Sequence, residues 1–207
     1  ALEPAFLRNY HPSSLRWVLL DRYLSEHHAR YGRVLMVDVR DTIFQSNPFS
    51  LVSGTGLHVF RGIEDRTIGK CGWNGGWVRD CYGDAALKRV ADRPILCSGV
   101  SAGMAANAKA YVAAMAKQLL SEPLQRCERN GVDQGVHNYL IHIGAIPDVQ
   151  TFGQESGPVA NMQMYKLAGS SKDGSIPVVQ NRAGKAVVVA HQYDRNKAFM
   201  AQVFAKY

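Results

Sequence analysis

Two carboxylates close a short, continuous apolar run of this chain. Val34-Leu35-Met36-Val37 is followed by Asp38-Val39-Arg40-Asp41, so a buried strand delivers two acids to its carboxyl end, the rim where open α/β sheets bind ligands. Hard oxygen ligands there suit Mg²⁺ or Mn²⁺, and such an ion neutralises a diphosphate. A pair of solvated strand-end acids, one of them bridged to Arg40, is the alternative. Asp133 and Gln134 form a second polar pair, at the start of a helical pattern that carries Val136, Tyr139, Leu140 and Ile143. An N-cap role for Asp133 fits that place as well as a chemical one. Trp73, Asn74 and Trp77 lie in a Gly- and Trp-rich stretch, residues 69–83, which reads as a structured loop. Flat aromatic faces stack on sugar rings and an amide reads hydroxyls, so these three are candidates for acceptor binding; anchoring of the loop in the core competes with that reading. Arg16, on the first helix, has the reach to meet a diphosphate, or it belongs to a solvated helix face.

The elements that must position these groups alternate between helix and strand, which argues for an α/β fold. Pro12-Ser13-Ser14 opens a helix with Leu15, Val18, Leu19 and Tyr23 on its apolar face, ending by Gly32. The run at 34–37 has the continuous apolar character of a buried, parallel strand. Leu57 to Phe60 follows as a strand, then the short run Ile95-Leu96-Cys97, which ends at Ser98-Gly99. A second helix carries Met104, Ala108, Tyr111, Met115 and Leu119 on one stripe. Beyond the Asp133 helix, strands are expected at Asp148 to Phe152, Val159 to Met164, Pro177 to Gln180 and Ala186 to Ala190.

Composition narrows the class. At 207 residues the chain fits one domain able to bury roughly 70% of its unfolded surface. The net charge of +7, from 24 Lys and Arg against 17 Asp and Glu, favours an anionic partner. The basic residues are scattered and not gathered in blocks with interleaved aromatics, which argues against nucleic acid and for a small phosphorylated ligand. Four cysteines without a CxxC pair make neither a zinc site nor a disulfide scaffold. Cys71 and Cys81 share one segment and could close a short loop in an oxidising compartment, or stay reduced.

Four segments carry a resemblance. Asp38-Val-Arg-Asp-Thr-Ile-Phe-Gln-Ser-Asn-Pro-Phe49 resembles the Asp-Ser-Arg-Asp run of a eukaryotic group of nucleotide-diphospho-sugar transferases. Cys97-Ser98-Gly99 resembles the Asn/Cys-Ser-Gly segment of the glycogenin and galactosyltransferase families. Gly131-Val132-Asp133-Gln134-Gly135-Val136-His137-Asn138 is similar to their Asp-Gln-x-x-x-Asn motif, and His191 matches their late histidine. Together these cover residues 34 to 195 and resemble the GT-A glycosyltransferases.

The resemblance implies a Rossmann-type, mostly parallel sheet flanked by helices. It also implies transfer of a sugar from a nucleotide-diphosphate donor to a hydroxyl of a glycan, protein or lipid, with a lean toward retention. Asp38, Asp41 and His191 would hold Mn²⁺ or Mg²⁺, although the acids stand one residue further apart than in the family's Asp-x-Asp. Ser98 and Gly99 would lie near the donor sugar, Asp133 and Gln134 by the reacting carbon, with Asn138 bracing them. Arg16 and Arg40 complete the expected donor side. The family's habitat suggests the secretory lumen, the Golgi, with any membrane attachment through an upstream anchor as in a type II membrane protein.

The family's first nucleotide-binding β-α-β unit is not recognisable ahead of Asp38, which reads as an incomplete N-terminal end and leaves an open sheet edge beside the Val34–Val37 strand. The haloacid-dehalogenase phosphatases are the rival owners of an Asp38/Thr42 frame, but their acid/base position is Arg40, a poor proton donor. A sugar-binding pseudoenzyme is the non-enzymatic alternative.

Overall fold

The computed structural model describes residues 8–164 and 176–206; the expectation that no complete β-α-β unit precedes Asp38 therefore falls partly outside the described residues. α1 (Pro12–His27) starts with Pro at its first position, and the side chain of His11 accepts from the N–H of Ser13. β1 (Arg33–Val37), a 3₁₀ turn at Val39–Asp41 and β2 (Thr42–Phe44) follow. Then come β3 (Leu57–Arg61), α2 (Gly72–Tyr82), α3 (Asp84–Val90), β4 (Leu96–Met104), α4 (Ala105–Leu119), α5 (Glu122–Gln125) and α6 (Val132–His142). β5 (Val149–Phe152), β6 (Val159–Asn161), β7 (Val189–His191) and α7 (Lys197–Lys206) complete the described elements.

The fold is mixed α/β in four layers, helix, sheet, sheet and helix. One sheet has the order β1-β4-β3-β5, the other β2-β7-β6. Helices α1, α4 and α6 cover one face of the larger sheet through Trp17, Leu24, Tyr111, Met115, Val136 and Leu140. The smaller sheet covers the other face, where Val159 and Val189 meet Phe60, Val100 and Ala102. Its far side packs against α7 through Phe199 and Val203. Among the described residues no helix is long and apolar enough to cross a membrane.

Several expectations are corrected. The sheets are not mostly parallel: β1/β4, β4/β3 and β2/β7 are antiparallel, and only β3/β5 and β6/β7 are parallel. The apolar run at 34–37 reflects burial between two layers, and an antiparallel strand covered on both faces looks the same in sequence as a parallel one. α1 buries Trp17 and Leu24, whereas Leu19 and Tyr23 are nearly half exposed. β4 does not end at Ser98-Gly99 but continues, buried, as far as Gly103. Its register against β3 jumps from Phe60↔Cys97 to Val59↔Ser101, so Ser98, Gly99 and Val100 form a bulge on that side. Pro177–Gln180 makes a single bridge, Gln180↔Ala186, and no strand.

Residues 72–82 are helix despite three glycines. The glycines of α6 and its cap explain the packing: a Cβ on Gly131 or Gly135 would lie 2.2 or 2.7 Å from Trp77. Close approach of α2 to α6 thus offsets the roughly 1 kcal/mol that each helical glycine costs relative to alanine. Neither alternative for Cys71 and Cys81, a bridge between them or two reduced thiols, holds for both residues. Ten residues of helix separate their ends by about 15 Å, far beyond disulfide reach. Cys81 is bonded to Cys127 and clips α2 to the segment before α6, while Cys71 is free and buried.

The edge of β1 is open, as expected: among the described residues it pairs with β4 alone. A cavity of about 420 Å³ is lined by this strand together with Arg16, Leu20, Tyr23, Tyr31 and Ser98.

Candidate metal centre

Asp38 directly follows β1, and its N–H donates to Gly99 O at 2.9 Å. The next three residues make one 3₁₀ turn, in which positions i and i+3 eclipse. Asp38 and Asp41 therefore fall on the same side, and the extra residue in the Asp-Val-Arg-Asp spacing is absorbed by the turn. Thr42, opening β2, pairs with His191 at the end of β7. These connections bring Asp38, Asp41 and His191 together, with one ligand atom of each within 4.8 Å of the others.

His191 Nε2 lies 3.4 Å from Asp38 Oδ2 and 3.7 Å from Asp41 Oδ1; it is buried and has no hydrogen-bond partner. Its other nitrogen, Nδ1, is 2.7 Å from Asn161 Oδ1. The Asn161 amide is oriented by its Nδ2, which donates to Arg61 O at 2.6 Å. Nδ1 therefore carries the proton, and the Nε2 lone pair points at the carboxylates, the tautomer a metal ligand requires. Burial opposes protonation of His191, but Cys97, 3.5 Å from Nδ1, and Asp41 more than offset this, leaving its pKa above the ordinary histidine value. A Cβ on Gly99 would lie 2.5 Å from Nε2 and 2.8 Å from Asp38 Oδ2, so only glycine leaves the space between the ligands clear. Two carboxylate oxygens and an imidazole around this space fit a divalent cation, and the nitrogen favours Mn²⁺ over Mg²⁺.

Asp133 stands beside this centre, 2% exposed. Its Oδ2 accepts from Arg16 at 2.8 Å, from Trp17 Nε1 at 3.2 Å and from Ser98 Oγ at 3.4 Å. It is not the helix cap: Gly131, with φ 87°, holds that position. Arg16 also donates to Asp38 Oδ1, joining the two acids.

The remaining expected residues separate into two groups. Gln134 and Asn138 strap α6 to β4. Gln134 Oε1 accepts from Ser98 N–H at 2.8 Å and its Nε2 donates to Asn74 Oδ1 at 3.1 Å, while Asn138 Oδ1 and Nδ2 bond the N–H and C=O of Leu96 at 2.8 and 2.9 Å. Their amides thus fix the Ser98–Gly99 bulge and do not face the centre as free groups. Asn74 is buried and engaged with Gln134 and Cys71, which makes it a support for that strap. Trp77 packs on Gly131 and Gly135. Trp73, 69% exposed, offers an open ring 6.0 Å from that of Trp77. Arg40 turns to solvent and meets Asp194 at 3.5 Å, away from the acids' shared side.

Sequence reasoning did not single out Asn161, Trp17 or Cys97 as parts of the centre. The Asn161↔His191 pairing of β6 and β7 is the only signal for Asn161, and it needs the sheet register. No protein family matches the chain, and neither does any curated protein sequence.

Proposed function

We propose that this chain is a divalent-cation-dependent glycosyltransferase that moves a sugar from a nucleotide-diphosphate donor to a hydroxyl of a glycan, protein or lipid. The observation that carries the reading is the convergence of Asp38, Asp41 and His191 around the space kept by Gly99, with the buried carboxylate of Asp133 adjacent. When bound, Mn²⁺ or Mg²⁺ supplies Lewis-acid stabilisation of the leaving diphosphate. Arg16, between Asp38 and Asp133, adds positive charge on the same side, and the groove that Arg16 and Ser98 help to line offers room for the rest of the donor. Asp133 is held by three donors before any substrate arrives. A preorganised carboxylate of this kind stabilises the positive charge that develops at an anomeric carbon. Trp73 supplies an exposed aromatic face for an acceptor sugar. The phosphatase alternative loses support because Arg40, at its acid/base position, points to solvent.

The Cys81–Cys127 disulfide supports a secretory-lumen setting, where such bonds persist. The test is a screen of nucleotide sugars for donor hydrolysis with and without Mn²⁺. Nucleoside diphosphate should be released only with the cation, and not by Asp41→Asn. Release of inorganic phosphate from an aryl phosphate, with no donor hydrolysed, would contradict the reading.

A further inference from the structure

Arg16 joins the two functional halves of the site. Its guanidinium lies 4.9 Å from the Trp17 ring centre and forks between two carboxylates, donating to Asp38 Oδ1 and to Asp133 Oδ2. Its Nε is buried and has no acceptor. Asp38 meets Arg16 through one oxygen and His191 through the other, at 3.4 Å. A cation held by Asp38, Asp41 and His191 would therefore share a single carboxylate with the guanidinium, and the two positive groups would repel across it.

We propose that Arg16 is a positioning residue that couples the cation site to Asp133 and to the donor's diphosphate; this rests on reading Asp38, Asp41 and His191 as the cation site. A divalent charge at Asp38 Oδ2 loosens the Arg16–Asp38 arm. The guanidinium keeps its hold on Asp133 and turns its released donors, with Nε, toward an incoming anion. By reciprocity, an anion that engages Arg16 relieves the repulsion and tightens the cation. Asp133 enters the same balance: its carboxylate draws Arg16 away from Asp38, so neutralising Asp133 leaves Arg16 gripping Asp38 and opposing the cation.

Calorimetric titration with MnCl₂, and then with inorganic pyrophosphate at saturating Mn²⁺, tests this on the whole chain. Arg16→Gln should bind Mn²⁺ about tenfold tighter and pyrophosphate about tenfold weaker. Asp133→Asn should weaken Mn²⁺ about tenfold in the wild-type background but by only about threefold in the Arg16→Gln background, the mark of coupling through Arg16. Arg16→Lys, which keeps the charge and therefore guards against loss of fold, should hold Mn²⁺ within about threefold of wild type because the Coulombic opposition remains. Unchanged or weaker Mn²⁺ binding in Arg16→Gln, or an Asp133→Asn effect of equal size in both backgrounds, overturns the coupling. A wild-type chain that takes up no Mn²⁺ overturns the cation site itself, and the coupling with it.

Discussion

A β-carbon on Gly99 would lie 2.3 Å from Cε1 of His191. No contact of that length is tolerated, so the bulge in β4 and the end of β7 approach each other only because residue 99 is glycine. Gly99→Ala removes no ligand atom and should still weaken Mn²⁺ binding by about 10–100-fold, the range found when the support of a metal ligand is disturbed. Calorimetry with a parallel thermal melt checks this. Wild-type Mn²⁺ affinity in a folded Gly99→Ala protein would show that the space between the ligands is not the binding site.

Acid stability should bear the mark of His137. Burial, with smaller contributions from His142 and Arg16, pushes its pKa down to about 3, and Nδ1 meets Tyr111 OH at 2.7 Å. The unfolded chain, with a histidine pKa near 6.5, binds this proton more readily than the folded one. Stability is therefore lost as pH falls from about 6.5 toward 3, at up to roughly 1.4 kcal/mol per pH unit. Above pH 7 the group contributes no slope. Urea unfolding of His137→Gln between pH 4 and 7 should show a shallower dependence than wild type; identical slopes would contradict the assignment.

Much of this architecture was readable from sequence wherever local pattern and burial agree. The stripe Ala108, Tyr111, Met115 and Leu119 of α4 is buried as its spacing predicts, although Met104, expected on the same stripe, ends β4 instead, and the acids after β1 meet the late histidine. What was not legible depends on partners distant in the chain. Nothing near Val34–Val37 reveals that a second sheet covers it, so the run read as parallel. The helix at 72–82 is favoured by contact of Trp77 with Gly131 and Gly135, more than fifty residues away, and local propensity pointed to a loop. The roles of Gln134 and Asn138 as straps for β4 follow from the backbone of Leu96 and Ser98, which their own motif does not disclose.

The Cys81–Cys127 bond closes a 46-residue separation, and holds α2, with Trp73 and Asn74, against the approach to α6. Cys81→Ser with Cys127→Ser should lower stability by about 2–4 kcal/mol. The check is chemical unfolding of the double variant against wild type under non-reducing conditions. Equal midpoints and slopes would mean the bridge does not constrain the chain.

The open edge of β1 also has an observable consequence. Asp38 N–H donates to Gly99 O and Ala105 N–H to Gly32 O, so the even-numbered residues of β1 face β4 and Leu35 and Val37 turn their amides outward. The amides of Leu35 and Val37 should exchange with deuterium about 10²-fold faster than those of Val34 and Met36. Equal protection of all four would show that another strand covers this edge in solution.

Whether a preorganised carboxylate works beside a divalent cation on a nucleotide sugar is decided by the turnover of Asp133→Asn at saturating Mn²⁺. The substitution keeps the shape of the side chain and removes its charge. Because Gly131 is the cap of α6, no capping contact is lost. Removal of one preorganised electrostatic group typically lowers turnover by about 10²–10³. Donor turnover per enzyme should fall by that factor in a protein that still unfolds cooperatively, although loss of the buried Arg16–Asp133 ion pair lowers its melting temperature. Near-normal turnover in a folded Asp133→Asn protein would show that this carboxylate takes no part in the chemistry.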